Sequence, residues 1–218
     1  GLIFFLDAEA KKPVYDVDFL PVAGAPPLPV DGLTSIDHFS QAVVPAEFHM
    51  GVLFYRSLMG FEAGEQLGVL DPHGAMQSRN LRNASGKVRM AVNASFGANS
   101  VTQRFLASRM GAGYQHFAFR CEDILAFARG VDPRFILRIP SSYYDVLALR
   151  FDLPADTIAA MRDLNILYDE DANGRYFQLY TIDINGLFFE IVQRDGGYAG
   201  FGAINAPVRM AAQTRAYD

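Results

Sequence analysis

LFFEIV, residues 187–192, is an apolar stretch of strand character with a carboxylate, Glu190, at its centre. Removing an unpaired charge from water costs several kcal/mol, so a glutamate in such a strand needs a partner that neutralises it. The partner has to come from another part of the chain or from a bound cation. The fold must therefore bring a positively charged group to the buried face of this strand.

Two histidines occupy comparable apolar stretches upstream, His38 in IDHF and His116 in YQHFAF. Two imidazoles and one carboxylate on one side of an octahedral ion form the facial triad, which characteristically holds non-haem Fe(II) and leaves three positions open. The pattern predicts that His38, His116 and Glu190 bind Fe(II) or another divalent metal. The alternative is that both histidines are ordinary core residues and that Glu190 pairs with Arg194 or Arg120.

Strand alternation predicts the surroundings of the first histidine. Successive side chains of a strand point to opposite faces, so Ile36, His38 and Ser40 are expected on one face. A histidine that binds a metal usually donates its other ring N–H to an acceptor nearby. Asp37 or Ser40 is expected to be that acceptor.

The order of strand-like and helix-like stretches repeats once along the chain. Strands are predicted at 34–44, 61–70, 74–82, 87–96, 113–120, 135–139, 167–169, 176–181 and around Glu190, and helices at 45–59, 103–110, 123–129 and 143–164, the last interrupted at Pro154. Two β-α-β-β-β modules of this kind predict an α+β fold, in which one curved mixed sheet surrounds a metal cavity. Equivalent strands of the two modules would bring His38, His116 and Glu190 towards one axis.

A Pro-rich segment, APPLPV, sets the expected domain boundaries because such segments form extended linkers. The stretch before it is expected to be the tail of a preceding module, so that the chain is a piece of a longer protein. The expected divisions are the tail and linker at 1–30 and a domain at 31–218, which consists of module one at 31–100, module two at 111–195 and a C-terminal lid at 196–218.

Composition excludes several classes of partner. Half of the 218 residues are hydrophobic, the net charge is −5, and the 19 Lys and Arg form no basic stripe, so neither nucleic acid nor a membrane is expected as a partner. No targeting signal is visible. The single cysteine, Cys121, excludes a disulfide framework and indicates a reducing, cytoplasmic location. A small neutral or anionic metabolite is the expected ligand.

Several motifs, in this order, resemble the C-terminal, catalytic half of 4-hydroxyphenylpyruvate dioxygenases, members of the vicinal-oxygen-chelate superfamily with its glyoxalase-like fold. The resemblance runs from about Leu2 to the end of the chain and is most specific in GYQHFAF (113–119), LYDED (167–171), FEIVQR (189–194) and GFG (200–202). The ending NAPVRMAAQ, together with RFDL, is similar to dioxygenase-like domains fused behind a barrel that acts as a 3-dehydroshikimate dehydratase. This resemblance implies an upstream barrel domain.

The resemblance also implies roles for individual residues. The family's iron ligands correspond to His38, His116 and Glu190, its other catalytic positions to Ser78, Asn93, Gln115 and Gln178, and its substrate pocket to Val101, Tyr180, Phe188 and Ala206. In the family, a substrate-orienting glutamine stands where this chain has Val101, and an aromatic clamp stands where it has Ala206. The resemblance therefore implies a substrate other than 4-hydroxyphenylpyruvate.

Three functions follow as alternatives. The first is an Fe(II)-dependent dioxygenase that uses dioxygen on an aromatic or related 2-oxo acid. The second is a non-catalytic metal-binding or assembly domain of a bifunctional 3-dehydroshikimate dehydratase. The third is a metal-dependent lyase or isomerase on the same scaffold. A homo-oligomer is expected in each case.

Overall fold

The computed structural model describes residues 12, 14–24 and 32–217, and the chain divides into two units, Gly1–Asp31 and Gly32–Asp218. The described residues of the first unit include one short helix, α1 (Val14–Val17). The strand expected at the N-terminus and the Pro-rich linker lie outside the described residues. Among the helices that the structure describes, none is both long and apolar enough to cross a membrane.

The second unit contains eight strands and six α-helices. The strands are β1 (Leu33–Ala42), β2 (Glu62–Asp71), β3 (Gly74–Arg82), β4 (Arg89–Ser95), β5 (Gly113–Cys121), β6 (Leu167–Asp171), β7 (Gly174–Tyr180) and β8 (Phe188–Gly196). The helices are α2 (Phe48–Leu58), α3 (Val101–Arg109), α4 (Ile124–Gly130), α5 (Ser141–Arg150), α6 (Ala155–Leu164) and α7 (Ala206–Tyr217), with 3₁₀ turns at Pro45–Glu47, Pro133–Phe135 and Ala203–Asn205.

All eight strands form one mixed sheet in the order β2-β3-β4-β1-β5-β8-β7-β6. The first four strands make one half and the last four the other, and each half contains one parallel pair, β1 with β4 and β5 with β8. The halves meet where β1 and β5 run antiparallel. This arrangement is the curled mixed sheet of the vicinal-oxygen-chelate fold, so the predicted fold class is confirmed.

The register between β1 and β5 relates the two halves by an approximate two-fold. His38 lies opposite Ala118, and His116 lies opposite Ser40. Each histidine is therefore two residues from the position that faces the other histidine. Because the strands are antiparallel, this reciprocal pairing places both imidazoles close to the approximate two-fold axis, as the repeated order of elements predicted.

Helices cover the sheet and close the hydrophobic core. Ser100 caps α3, its Oγ accepting the backbone N–H of Gln103 at 3.1 Å, and Asp123 caps α4 in the same way. The larger core cluster joins α4, α5 and α6 to the second half of the sheet, with Tyr144 and Met161 fully buried. A second cluster packs α2 against the first half around Phe48.

Two expectations about local structure were wrong. Residues 135–139 form no strand, because a 3₁₀ turn begins at Pro133 and only Ile136 makes a bridge to the sheet, opposite Thr181. The apolar residues there reflect burial of Ile136, Leu137 and Ile139 in the core. Ile36 does not share a face with His38, because a β-bulge between the two residues leaves Ile36 57% exposed.

Candidate metal centre

Three buried side chains converge inside the curl of the sheet: His38 from β1, His116 from β5 and Glu190 from β8. One ligand atom from each lies within 4.8 Å of the other two. Glu190 Oε2 is 3.2 Å from His38 Nε2 and 3.5 Å from His116 Nε2. The structure thus brings together the three residues expected to bind a metal, and the partner of Glu190 is neither Arg194 nor Arg120.

The donor set fits a divalent transition metal. Nε2 of His116 is buried and has no hydrogen-bond partner among the described residues, which is unusual for a buried polar atom. Burial of the ring, together with the charges of His38 and Arg209, outweighs Glu190 and lowers the pKa of His116 to about 3. This imidazole is therefore neutral, and its lone pair is available to a metal. Two neutral imidazoles and a carboxylate suit Fe(II), and other divalent ions bind such sets.

His38 and Glu190 hold complementary charges when no metal separates them. Burial disfavours the charged form of His38, but the carboxylates of Glu190 and Asp37 outweigh it and raise its pKa to about 9. Burial likewise disfavours the charged form of Glu190, but His38 outweighs it and lowers its pKa to about 2. The buried carboxylate of Glu190 is therefore ionised and paired with His38, which explains how a charge is accommodated in an apolar strand.

Asp37 fixes the orientation of the His38 ring. Its Oδ1 lies 2.9 Å from His38 Nδ1, so Nε2 points towards Glu190. Asp37 in turn accepts two hydrogen bonds from Arg194, from Nε at 2.7 Å and from Nη2 at 2.8 Å. Arg194 is buried, and its guanidinium lies 4.3 Å from the centre of the Tyr176 ring. The acceptor expected next to His38 is therefore Asp37 rather than Ser40.

Glu190 is held through its second oxygen. Oε1 accepts hydrogen bonds from Gln178 Nε2 at 3.0 Å and from the Tyr176 hydroxyl at 3.2 Å. Gln178 Oε1 accepts a hydrogen bond from Asn205 Nδ2 at 2.8 Å, which ties the start of α7 to the same network. Gly202 packs so closely on Gln178 that an added Cβ would clash with the Gln178 side-chain amide. These bonds leave Glu190 Oε2 directed at the two histidines.

The three side chains open into a small cavity of about 60 Å³. Of the residues that the resemblance implicated, Ser78, Asn93, Tyr180 and Ala206 line it, whereas Gln115, Gln178, Val101 and Phe188 do not. Gln178 acts on Glu190 instead, and the Phe188 ring stacks on His116 at 4.8 Å between centres. Gln115 is buried at a bulge of β5, and Val101 is buried at the start of α3.

Phe201 covers the cavity on the side of His38. The two rings meet edge to face, with 5.1 Å between their centres. Phe201 and Asn80 also line a wider depression of about 360 Å³. Phe201 therefore lines both the cavity and this depression, and it was not among the site residues expected from the sequence.

In the first half of the sheet, the position equivalent to Glu190 is occupied by an alanine, Ala91. Glu190 lies opposite Ala118 in the parallel pair of β5 and β8, and Ala91 lies opposite Ser40 in the parallel pair of β1 and β4. By the approximate two-fold, Ala91 occupies in the first half the place that Glu190 occupies in the second. Ala91 lines the cavity. The three candidate ligands are therefore arranged asymmetrically, and the side of the site that has no ligand faces the first half of the sheet.

Comparison with known proteins identifies the relatives of this chain. No protein-family model matches it. It is 40% identical over 214 residues to a 3-dehydroshikimate dehydratase of Pseudomonas putida, covering 95% of this chain and 33% of that protein. It is 29% identical over 211 residues to a 4-hydroxyphenylpyruvate dioxygenase of Pseudomonas aeruginosa, covering 94% of this chain and 59% of that protein. A solved fusion of a xylose isomerase-like TIM barrel and a 4-hydroxyphenylpyruvate dioxygenase is 36% identical, with a TM-score of 0.77 over 95% of this chain and 33% of the other.

The fold and the comparisons define the chain as a member of the vicinal-oxygen-chelate superfamily. Its homologues include 4-hydroxyphenylpyruvate dioxygenases as well as 3-dehydroshikimate dehydratases. The resemblance expected from the sequence is thus confirmed. The chain spans about a third of the dehydratase relatives and 59% of the dioxygenase.

Proposed function

We propose that residues 31–218 form an Fe(II)-dependent dioxygenase domain, in which His38, His116 and Glu190 hold the metal and the substrates are dioxygen and a 2-oxo acid. The observation that carries the proposal is the buried, unpartnered Nε2 of His116, which faces the same point as His38 Nε2 and Glu190 Oε2. An Fe(II) ion held by these three residues would supply the Lewis-acid and redox chemistry for a reaction between the 2-oxo acid and dioxygen.

The chain's own residues prepare the site in three ways. Asp37 fixes the tautomer and direction of His38, which leaves Nε2 free to bind a cation. Gln178 and Tyr176 hold Glu190 by one oxygen, so the other stays directed at the ligand point. Tyr180 lines the cavity and excludes water from that side.

The altered pocket supports a substrate other than 4-hydroxyphenylpyruvate. The cavity beside the candidate ligands is small, about 60 Å³. Ala206 lies in it where the family has an aromatic clamp, and Val101, where the family has an amide, does not line it. A phenol ring would therefore be neither clamped nor hydrogen-bonded in the family's way. Phe201 lines both this cavity and the wider depression.

The test is metal binding followed by oxygen uptake. Protein reconstituted with Fe(II) under argon is expected to hold one ion per chain, and His116→Ala/Glu190→Ala to hold none. His49→Ala is the matched control, because His49 is exposed on α2 and has no contact with the site. Oxygen consumption on addition of a 2-oxo acid supports the dioxygenase. Unchanged metal content in the double variant refutes the site.

The relatives favour a second candidate, a metal-binding or assembly domain of a bifunctional 3-dehydroshikimate dehydratase with an upstream barrel and a homo-oligomeric state. The 40% identity to a protein of that name and the lost clamp at Ala206 support it. It predicts a lower melting temperature after chelation and no oxygen uptake with any 2-oxo acid. A lyase or isomerase is distinguished by Zn²⁺ or Mn²⁺ in the purified protein. In each case the buried, free thiol of Cys121 supports a cytoplasmic location.

A further inference from the structure

Arg209 is a cation inside the metal cavity that the proposed ligand set does not use. It lies on α7, is only 8% exposed, and lines the cavity together with His38, His116 and Glu190. Its guanidinium lies 5.2 Å from the centre of the Phe188 ring, and Phe188 stacks on His116 at 4.8 Å. One aromatic ring therefore separates this positive charge from a proposed metal ligand.

The charge of Arg209 has no carboxylate partner in the described part of the chain. Its Nη1 donates to Gln213 Oε1 at 2.5 Å, a neutral acceptor four residues along the same helix. Its other contacts are the faces of Phe188 and Tyr180, at 5.2 and 5.6 Å from the ring centres. Arg194 differs in this respect, because Asp37 binds it through both oxygens.

Burial of a charge without a counter-ion is costly, and one neutral hydrogen bond with two ring contacts offsets only part of that cost. Such a group is retained where an anion binds to it. The cavity places this guanidinium where a ligand would lie, because the open side of the ligand set faces the same space.

The charges of the loaded cavity indicate what kind of anion this is. A divalent ion and Arg209 contribute three positive charges, and Glu190 contributes one negative charge. Asp37 and Arg194 cancel each other, and the histidines are neutral when they bind a metal. The remaining charge of +2 complements a dianion. A 2-oxo acid with one carboxylate neutralises only half of it.

We propose that Arg209 is a specificity-determining residue that binds a second carboxylate, at the far end of a small acid whose 2-oxo acid group faces the metal ligands. This inference rests on the proposed function and names its substrate class: 2-oxo dicarboxylates. The guanidinium fork matches a carboxylate through two parallel hydrogen bonds. In this pocket, recognition by charge takes the place of recognition by an aromatic clamp.

The test compares two acids of equal chain length, 2-oxoglutarate and 2-oxopentanoate, which differ only by the far carboxylate. Calorimetric titration of Fe(II)-loaded protein under argon is expected to give about 10- to 100-fold tighter binding of the dicarboxylate. Arg209→Met is expected to abolish the preference, and Arg209→Lys to retain part of it. Arg215→Met, on the exposed side of the same helix, is the control for net charge and should keep it.

Melting temperature separates recognition from a structural role. Replacing an unpaired buried charge by an apolar side chain of similar length is expected to leave the melting temperature of Arg209→Met unchanged or higher. A loss of stability together with an unchanged preference overturns the inference, as does equal affinity of the two acids, or binding of neither, in loaded wild-type protein. Failure of the dioxygenase proposal gives a different result: the protein would hold one metal per chain and prefer the dicarboxylate in an Arg209-dependent way, but it would take up no oxygen.

Discussion

The pair formed by Asp37 and Arg194 gives the sharpest test of how the site is supported. Arg194→Met keeps the apolar stem of the side chain but removes four hydrogen bonds: two to Asp37 and one each to the carbonyls of Tyr198 and Gly200. Both charged partners are buried, so Asp37 is left in the interior without its main counter-charge. Breaking a buried pair from one side costs about 3–5 kcal/mol.

The expected magnitude lies at the lower end of that range. His38 remains 2.9 Å from Asp37, and its pKa of about 9 keeps it protonated at neutral pH in metal-free protein, so the carboxylate retains one cation. We expect a loss of about 3 kcal/mol, which corresponds to a fall in melting temperature of roughly 6–12 °C for a domain of this size. Because Asp37 orients His38, metal affinity should also fall by about 10- to 100-fold.

The assay is urea denaturation of metal-free protein, combined with metal titration. Arg175→Met is the matched control, because Arg175 lies on the neighbouring strand and pairs with Asp195 at the surface, where a pair contributes about 0–1 kcal/mol. Asp37→Asn/Arg194→Met should be more stable than Arg194→Met, since it no longer buries a carboxylate that has lost its guanidinium partner. If Arg194→Met costs no more than Arg175→Met, the reasoning about this pair is refuted.

Three other expectations concern local structure. Gly202→Ala should lower the free energy of unfolding by about 1–3 kcal/mol, because φ is +58° and a Cβ would meet Gln178. Gly86→Ala is the control and should lower it by only about 1 kcal/mol, because φ is +69° but the space around the residue is open. Equal losses in the two variants would contradict the close approach of Gly202 to Gln178. Ser100→Ala should cost about 1 kcal/mol by uncapping α3, with the metal content unchanged. Burial and Asp123 raise the pKa of the Cys121 thiol from 9.0 to about 11, so iodoacetamide should label the native protein slowly at pH 9. The free energy of unfolding should fall between pH 9.0 and 11, because the thiol ionises at lower pH in the unfolded chain than in the folded protein. Rapid labelling of the native protein would contradict this.

The sequence was a good guide to the elements that carry local signals. Strand β3 was predicted with its observed bounds, and the helix expected at 45–59 is present as a 3₁₀ turn followed by α2. Glu190 and the two histidines were noticeable because polar side chains interrupt apolar strands. Their convergence follows from the repeated order of elements, which is a property of the whole chain.

The supporting residues were harder to predict, because their roles depend on contacts between distant segments. Asp37 and Arg194 are 157 positions apart, and in the sequence Arg194 was as plausible a partner for Glu190 as for any other acid. The bulge that exposes Ile36 has no local sequence signal. Arg209 is one of the two arginines of α7, and only the packing of that helix over the cavity distinguishes it from a surface residue.

The pairing of Ala91 with Ser40 has a consequence for how such a scaffold changes during evolution. If the two halves descend from one duplicated segment, a carboxylate once stood at both equivalent positions or was acquired at only one. With a carboxylate at each, an octahedral ion would have four protein ligands and two open positions instead of three. The small side chain at position 91 would therefore keep the third position open to a substrate.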